Sequence, residues 1–119
     1  MERVVITGMG AITPLGNDVE TFWTRLVRGE SGISSIDAFD TSRFKVKIAG
    51  NVRNFNAKEL FGLKEARRMD RVSQFALAAA GQALVDSKID LDQVNKERMG
   101  VYVGSGIGGI QTLLDQHIL

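Results

Sequence analysis

The sequence predicts an α/β fold with a largely parallel sheet. Two short β-branched runs, Val4-Val5-Ile6 and Gly100-Val101-Tyr102-Val103, each lead through a glycine-containing loop into an apolar pattern of helical period. A longer helical pattern lies between them. The composition fits a globular domain, with 44% hydrophobic and 24% charged residues, which excludes disorder and collagen-like structure. At 119 residues the chain has the length of a single domain.

The elements follow in order. Val4-Val5-Ile6 ends in Thr7-Gly8 and reads as a buried strand. The segment Gly10 to Gly16 holds the sole proline, Pro14, and reads as a loop. Asn17 is placed as a helix N-cap, with Glu20 three residues on as its capping-box partner. Val19, Phe22, Trp23, Leu26 and Val27 form the apolar face of that helix, and Gly29 takes the position just past its end. Between Glu30 and Asn56, Ser31-Gly32 and Ser34-Ser35 read as turns and Lys47-Ile48-Ala49 as one short extended piece. Ala57 to Phe61 is expected to form a short helix before Gly62.

The strongest helical pattern runs from about Lys64 to Asp86. Met69, Val72, Ala76, Ala79, Ala80, Ala83 and Leu84 recur at three- and four-residue spacing. Its second half is rich in alanine, so a neighbouring element is expected to approach its backbone closely on more than one side. A polar connection from Lys88 to Arg98 leads to the second strand. A last helix then carries Ile110, Leu113, Leu114 and Ile118 on one face. Two strands are too few for a parallel sheet covered on both faces, and the chain stops on Ile118-Leu119 within an apolar face. Residues 1–119 are therefore expected to be one portion of a larger domain, cut at residue 119.

Charge and residue inventory narrow the function. Fifteen basic against fourteen acidic residues leave a net charge of +1, unlike a general nucleic-acid binder. No apolar run reaches the roughly 18 residues of a membrane span, and the N-terminal apolar run lacks a signal-peptide cleavage pattern. A cytoplasmic location is expected. With no cysteine, disulfides, thiolate zinc sites and a cysteine nucleophile are excluded within these residues. His117 is the single histidine; a metal site has no ligand cluster. A triad with Ser105 and Asp115 is far outweighed by an ordinary polar role on a helix.

Gly104-Ser105-Gly106-Ile107-Gly108-Gly109 satisfies G-x-G-x-x-G between a strand and a helix, so a dinucleotide-binding module is one reading. The acidic residue that such a module needs about 20 positions on would fall past the end of the sequence. The other reading is a glycine turn facing a different ligand. The first loop fails the same test, because Thr13 replaces the third glycine. On a continuous helix Lys64, Arg67, Arg68 and Arg71 would share a face, as a solvated stripe or a docking patch for an acidic partner.

Taken together, Val4 to Gly10, Thr13-Pro14-Leu15-Gly16-Asn17, Gly29 to Gly32, Phe39 to Ser42, Lys64 to Asp70 and Gly104 to Gly109 resemble the N-terminal part of the β-ketoacyl-acyl-carrier-protein synthase II family. The match runs in order along nearly the whole chain and covers about the first third of a family member. The resemblance implies part of the N-terminal half of a thiolase-like layered α/β fold, usually in a homodimer. It implies fatty-acid elongation by decarboxylative Claisen condensation, with no cofactor or metal, on acyl and malonyl thioesters of acyl carrier protein. The family's nucleophilic cysteine and its histidine partners lie downstream, so no catalytic residue falls in this segment. Lys64, Arg67 and Arg68 match the family's carrier-protein docking patch, and Ile107 matches a residue lining the acyl pocket. A non-catalytic subunit resembling the chain-length factors of polyketide systems is the alternative within the same superfamily.

Overall fold

A computed structural model describes residues 3–118 of the chain. These fall into two compact units: Gly10–Phe55, and the described parts of Met1–Met9 and Asn56–Leu119. Leu119, the last residue of the apolar C-terminal face, lies outside the described residues.

In the unit Gly10–Phe55, Thr13 and Gly16 exchange backbone hydrogen bonds of 2.8 and 3.2 Å around Pro14-Leu15. The Thr13 hydroxyl also accepts from the Leu15 N–H at 3.2 Å and closes the turn. The first helix, α1, is Val19–Val27. Its cap is Asp18, one residue later than the sequence suggests: Asp18 Oδ1 accepts from the Thr21 N–H at 2.7 Å. Asn17 is diverted from capping because its side-chain amide donates to the Arg53 and Asn54 carbonyls at 3.1 and 3.0 Å.

The end of α1 is as expected. Gly29 adopts φ +70°, its N–H bonds the Leu26 carbonyl, and the Glu30 N–H reaches back to Arg25. That pair of bonds is the Schellman arrangement, which a glycine at this position permits. Arg25 then ties the helix to the loop, donating to Glu30 at 2.6 Å and to the Leu15 carbonyl at 2.8 Å. Leu15 is 8% exposed and is the buried apolar residue of this unit.

Ser34-Ser35, read from sequence as a turn, is a strand, β1 (Ser34–Ser35). It pairs antiparallel with β2 (Ile48–Ala49), in the register Ser34 to Ala49 and Ser35 to Ile48. The Ile36 N–H to Lys47 carbonyl bond of 2.9 Å continues the ladder. The extended piece at 47–49 was legible in the sequence, but its partner was not, because serine carries no strand signature.

The second unit is helical. Helix α2 is Ala57–Ala66, capped by Asn56, whose side chain accepts from the Lys58 N–H and donates to Glu59 at 2.6 Å. Gly62 at φ +77° breaks it into two short pieces, as the expected stop at Phe61 implies. Helix α3 is Arg71–Ser87 and α4 is Ile110–His117, with a single 3₁₀ turn at Lys96–Arg98 between them. Ala57 and Ala66 are the buried residues among those described in this unit.

Three expectations are corrected here. The long helix from Lys64 to Asp86 is two helices, because Asp70 is extended (φ −61°, ψ 157°) and a turn separates α2 from α3. The alanine-rich half of α3 has no buried residue, so it is not covered on several sides. One close approach does exist. A Cβ on Gly8 would overlap the Ala83 carbonyl oxygen and lie 2.6 Å from the Ser87 nitrogen, and the Met9 N–H donates to Asp86 at 2.8 Å.

Finally, Val4-Val5-Ile6 and Gly100-Val101-Tyr102-Val103 are not strands. They are unpaired, with Val101 88% and Tyr102 99% exposed. The expected parallel sheet is not formed among the described residues. A β-branched run becomes a strand only beside a partner that takes its backbone N–H and C=O groups, and neither run has one here.

Candidate functional site

The basic cluster is built on the turn between α2 and α3. Lys64 lies in the last turn of α2, Arg67 is its C-cap, and Arg68 follows with its N–H bonded to the Glu65 carbonyl at 3.0 Å. Arg71 opens α3 and lies over the Phe75 ring at 4.8 Å. The four cations therefore do not form one stripe on one continuous helix, which corrects the shared-face expectation. Lys64, Arg67 and Arg68 sit together around the end of α2, while Arg71 belongs to the next helix.

Two side chains hold this turn. The Gln74 amide donates to the Ala66 carbonyl at 2.9 Å, which the end of α2 leaves without a helical partner, and to the Met69 carbonyl of the turn at 3.1 Å. Arg67 and Arg68 are exposed, and a Glu65 carboxylate oxygen lies 3.7 Å from Arg68. Among the described residues no carboxylate lies within 4.0 Å of Lys64 or Arg67. Their charge faces solvent, and one exposed pair at 3.7 Å neutralises little.

The glycine loop Gly104 to Gly109 precedes α4 in the same unit. Ser105 Oγ accepts from the Gly108 N–H at 3.0 Å, and Gly108 adopts φ +78°. Ile107 stands on this loop and is 81% exposed. Residues 100–103 before it are not a paired strand, so the strand–loop–helix setting that a dinucleotide fingerprint requires is missing. His117 lies at the exposed end of α4. Asp115, near it, instead accepts from the Gln111 amide at 2.8 Å. Among the described residues no group of three or more His, Cys, Asp or Glu could hold a metal, and no helix is long and apolar enough to cross a membrane.

A cavity of about 470 Å³ lies in the other unit, lined in part by Pro14, Leu15, Arg25, Ile33, Asn51 and Arg53. It holds none of the site residues expected from sequence, Lys64, Arg67, Arg68 and Ile107. Its arginines are already engaged, Arg25 by Glu30 and Arg53 by Asp37 at 3.4 Å.

Asp70 is the residue that sequence reasoning missed. It occupies the N-cap of α3 without capping it, and its Oδ1 accepts from the Thr112 hydroxyl on α4 at 2.5 Å. Reading 64–86 as a single helix buried this signal. An aspartate directly before a helical stretch is itself an N-cap candidate.

Residues 1–118 match the family model described as the β-ketoacyl synthase N-terminal domain. The chain belongs to that family. Among relatives, 3-oxoacyl-(acyl-carrier-protein) synthase 2 of Staphylococcus aureus (strain COL) is 47% identical over 116 residues, 98% of this chain and 28% of that protein. The enzyme of the same name from Synechocystis sp. is 42% identical over 118 residues, with 28% of its length covered. Among solved structures, the ishigamide ketosynthase/chain length factor superposes with a TM-score of 0.80 at 32% identity, over 96% of this chain and 29% of that one. The chain thus spans about 28% of the curated relatives' length. The α/β class read from sequence is the class of this ketosynthase domain, although two of its expected strands are unpaired here.

Proposed function

We propose that the chain is the N-terminal portion of an elongating β-ketoacyl-acyl-carrier-protein synthase. The parent enzyme joins an acyl thioester to malonyl-acyl-carrier protein by decarboxylative Claisen condensation. The observation that carries this is the match over 98% of the chain to proteins named 3-oxoacyl-(acyl-carrier-protein) synthase 2. In this reading residues 1–119 contribute two parts. Lys64, Arg67 and Arg68, solvent-facing on the α2–α3 turn, dock the acidic carrier protein by charge, and Ile107 forms one wall of the acyl pocket. The exposure of Ile107 fits a pocket whose other walls come from the rest of the parent protein.

The reaction itself needs a nucleophile that this chain lacks, since it contains no cysteine. A thiolate takes the acyl group from the carrier, and the thioester so formed stays activated for attack by the carbanion released on decarboxylation. The parent protein works in the cytoplasm as a homodimer, without a metal or organic cofactor. The test is a condensation assay with acyl- and malonyl-carrier protein. The full-length protein forms β-ketoacyl-carrier protein, and the isolated 119-residue chain forms neither product nor acyl-enzyme. A full-length protein that forms no product contradicts the proposal.

A second reading is favoured by one observation, the likeness to a solved ketosynthase/chain length factor. There the chain would belong to a non-catalytic subunit that pairs with an active ketosynthase. The residue at the downstream nucleophile position separates the two readings, cysteine for the enzyme and another residue for the subunit.

A further inference from the structure

We propose that Asp70 is a positioning residue that fixes the Ile107 loop and thereby sets the acyl-chain length the parent enzyme prefers. The proposal rests on the reading of Ile107 as pocket wall.

The backbone of Asp70 has N-cap geometry, yet its side chain makes no capping bond to α3. The carboxylate crosses instead to α4 and accepts from the Thr112 hydroxyl at 2.5 Å, a contact between residues 42 apart in sequence. Gly109 is the N-cap of α4 and has no side chain to cap it. The Asp70 carboxylate fills the space a side chain there would take, since a Cβ on Gly109 would overlap Asp70 Oδ2 and lie 2.6 Å from its Cγ. A negative group at this end of α4 also suits the partial positive charge of the first helical turn. Asp70 thus anchors the first turn of α4 through the Thr112 side chain and fills the space beside Gly109.

The consequence falls on Ile107. The loop is held at one point by the Ser105 hydroxyl, which accepts from the Gly108 N–H at 3.0 Å. It is held at the next by the packing of Gly109 against Asp70 and the bond through Thr112. Ile107 lies between Ser105 and Gly109, on a loop otherwise rich in glycine and exposed to solvent. Its placement therefore depends on these anchors. Asp70 follows Arg67 and Arg68 by three and two residues, so one carboxylate links the carrier-docking turn to the loop that bears the pocket residue. Releasing it loosens the wall and favours longer chains.

The experiment uses the full-length enzyme and compares kcat/KM for a long-chain and a medium-chain acyl-carrier-protein primer. Thr112→Val removes the hydroxyl while keeping the shape of an exposed side chain, and Asp70→Asn removes the charge. Thr112→Ser keeps the hydroxyl. We expect Thr112→Val to raise the long-to-medium ratio about threefold to tenfold, the scale of one hydrogen bond to a charged group in a partly solvated setting. Asp70→Asn should shift it in the same direction by less, and Thr112→Ser should leave it at the wild-type value. An equal fall in rate on both primers, an unchanged ratio, or a shift toward the medium chain overturns the proposal. So does a Thr112→Ser variant that behaves like Thr112→Val. A wild-type enzyme that condenses neither primer overturns the underlying reading, and the assignment of Asp70 with it.

Discussion

Asp18 and Asn17 divide between them work that the sequence assigns to one residue. Asn and Asp are nearly equal as caps, so propensity cannot choose between neighbours; the Arg53 and Asn54 carbonyls decide by engaging Asn17. Asp18 then accepts the Thr21 N–H at 2.7 Å and the Thr21 hydroxyl at 2.8 Å. The backbone bond from Thr21, followed by its hydroxyl, holds the Asp18 carboxyl below the usual aspartate range. Because the folded state favours the carboxylate, this contribution to stability is complete above about pH 4. It fades as pH falls through the lower value in the folded protein. Asp18→Ala should destabilise the full-length protein by about 0.5–2 kcal/mol at neutral pH. The gap to wild type should narrow on acidification below about pH 4, as read from paired urea unfolding curves.

At the scale of elements, the sequence states its helices well and their joints poorly. Periodicity registers Val72, Ala76, Ala79, Ala80, Ala83 and Leu84 of α3 but does not register the reset at Asp70, because a short turn between two helices barely disturbs a three-to-four spacing. That joint is fixed by side chains distant from any pattern: Gln74 on the carbonyls of Ala66 and Met69, and Asp70 on Thr112. Strands fared worse for a different reason. Val4-Val5-Ile6 has the composition of a strand, but a strand is a relation between two segments, and composition describes only one. Conversely Ser34-Ser35 becomes a strand solely because Ile48-Ala49 lies beside it.

The candidate site was legible in proportion to its locality. Lys64, Arg67, Arg68 and Ile107 came from motifs that run along the chain, whereas the contact joining Asp70 to α4 spans 42 residues and leaves no local trace. Among these element contacts, Gly8 against α3 offers a direct check. A Cβ there meets backbone atoms of Ala83 and Ser87 that cannot rotate away. Gly8→Ala should cost about 1–3 kcal/mol by overpacking, seen as a lowered unfolding midpoint of the full-length protein.

For the whole molecule, the dominant fact is how little apolar surface is covered. Leu15, Ala57 and Ala66 are the buried apolar residues among those described, while Val4, Tyr102, Val101 and Ile107 are among many left exposed. Among the described residues no further element covers them, and the chain spans 28% of its relatives' length. The zero cysteine count acquires its meaning at this scale as well: it excludes thiol chemistry by these residues and is compatible with a thiol mechanism in the parent. The isolated chain should therefore form no acyl-enzyme when incubated with acyl-carrier protein, as judged by intact mass.

In the proposed function, the α2–α3 turn meets an acidic carrier protein through charge. The most direct test is a titration of acyl carrier protein against the full-length enzyme and its Arg67→Glu/Arg68→Glu variant over a range of salt concentrations. Charge pairs at an exposed interface act within a Debye length of about 10 Å at 0.1 M salt. The variant should bind about tenfold or more weakly at low ionic strength, and the difference should shrink as salt is added. Equal affinities at low ionic strength would contradict the assignment of this turn as the carrier-docking surface.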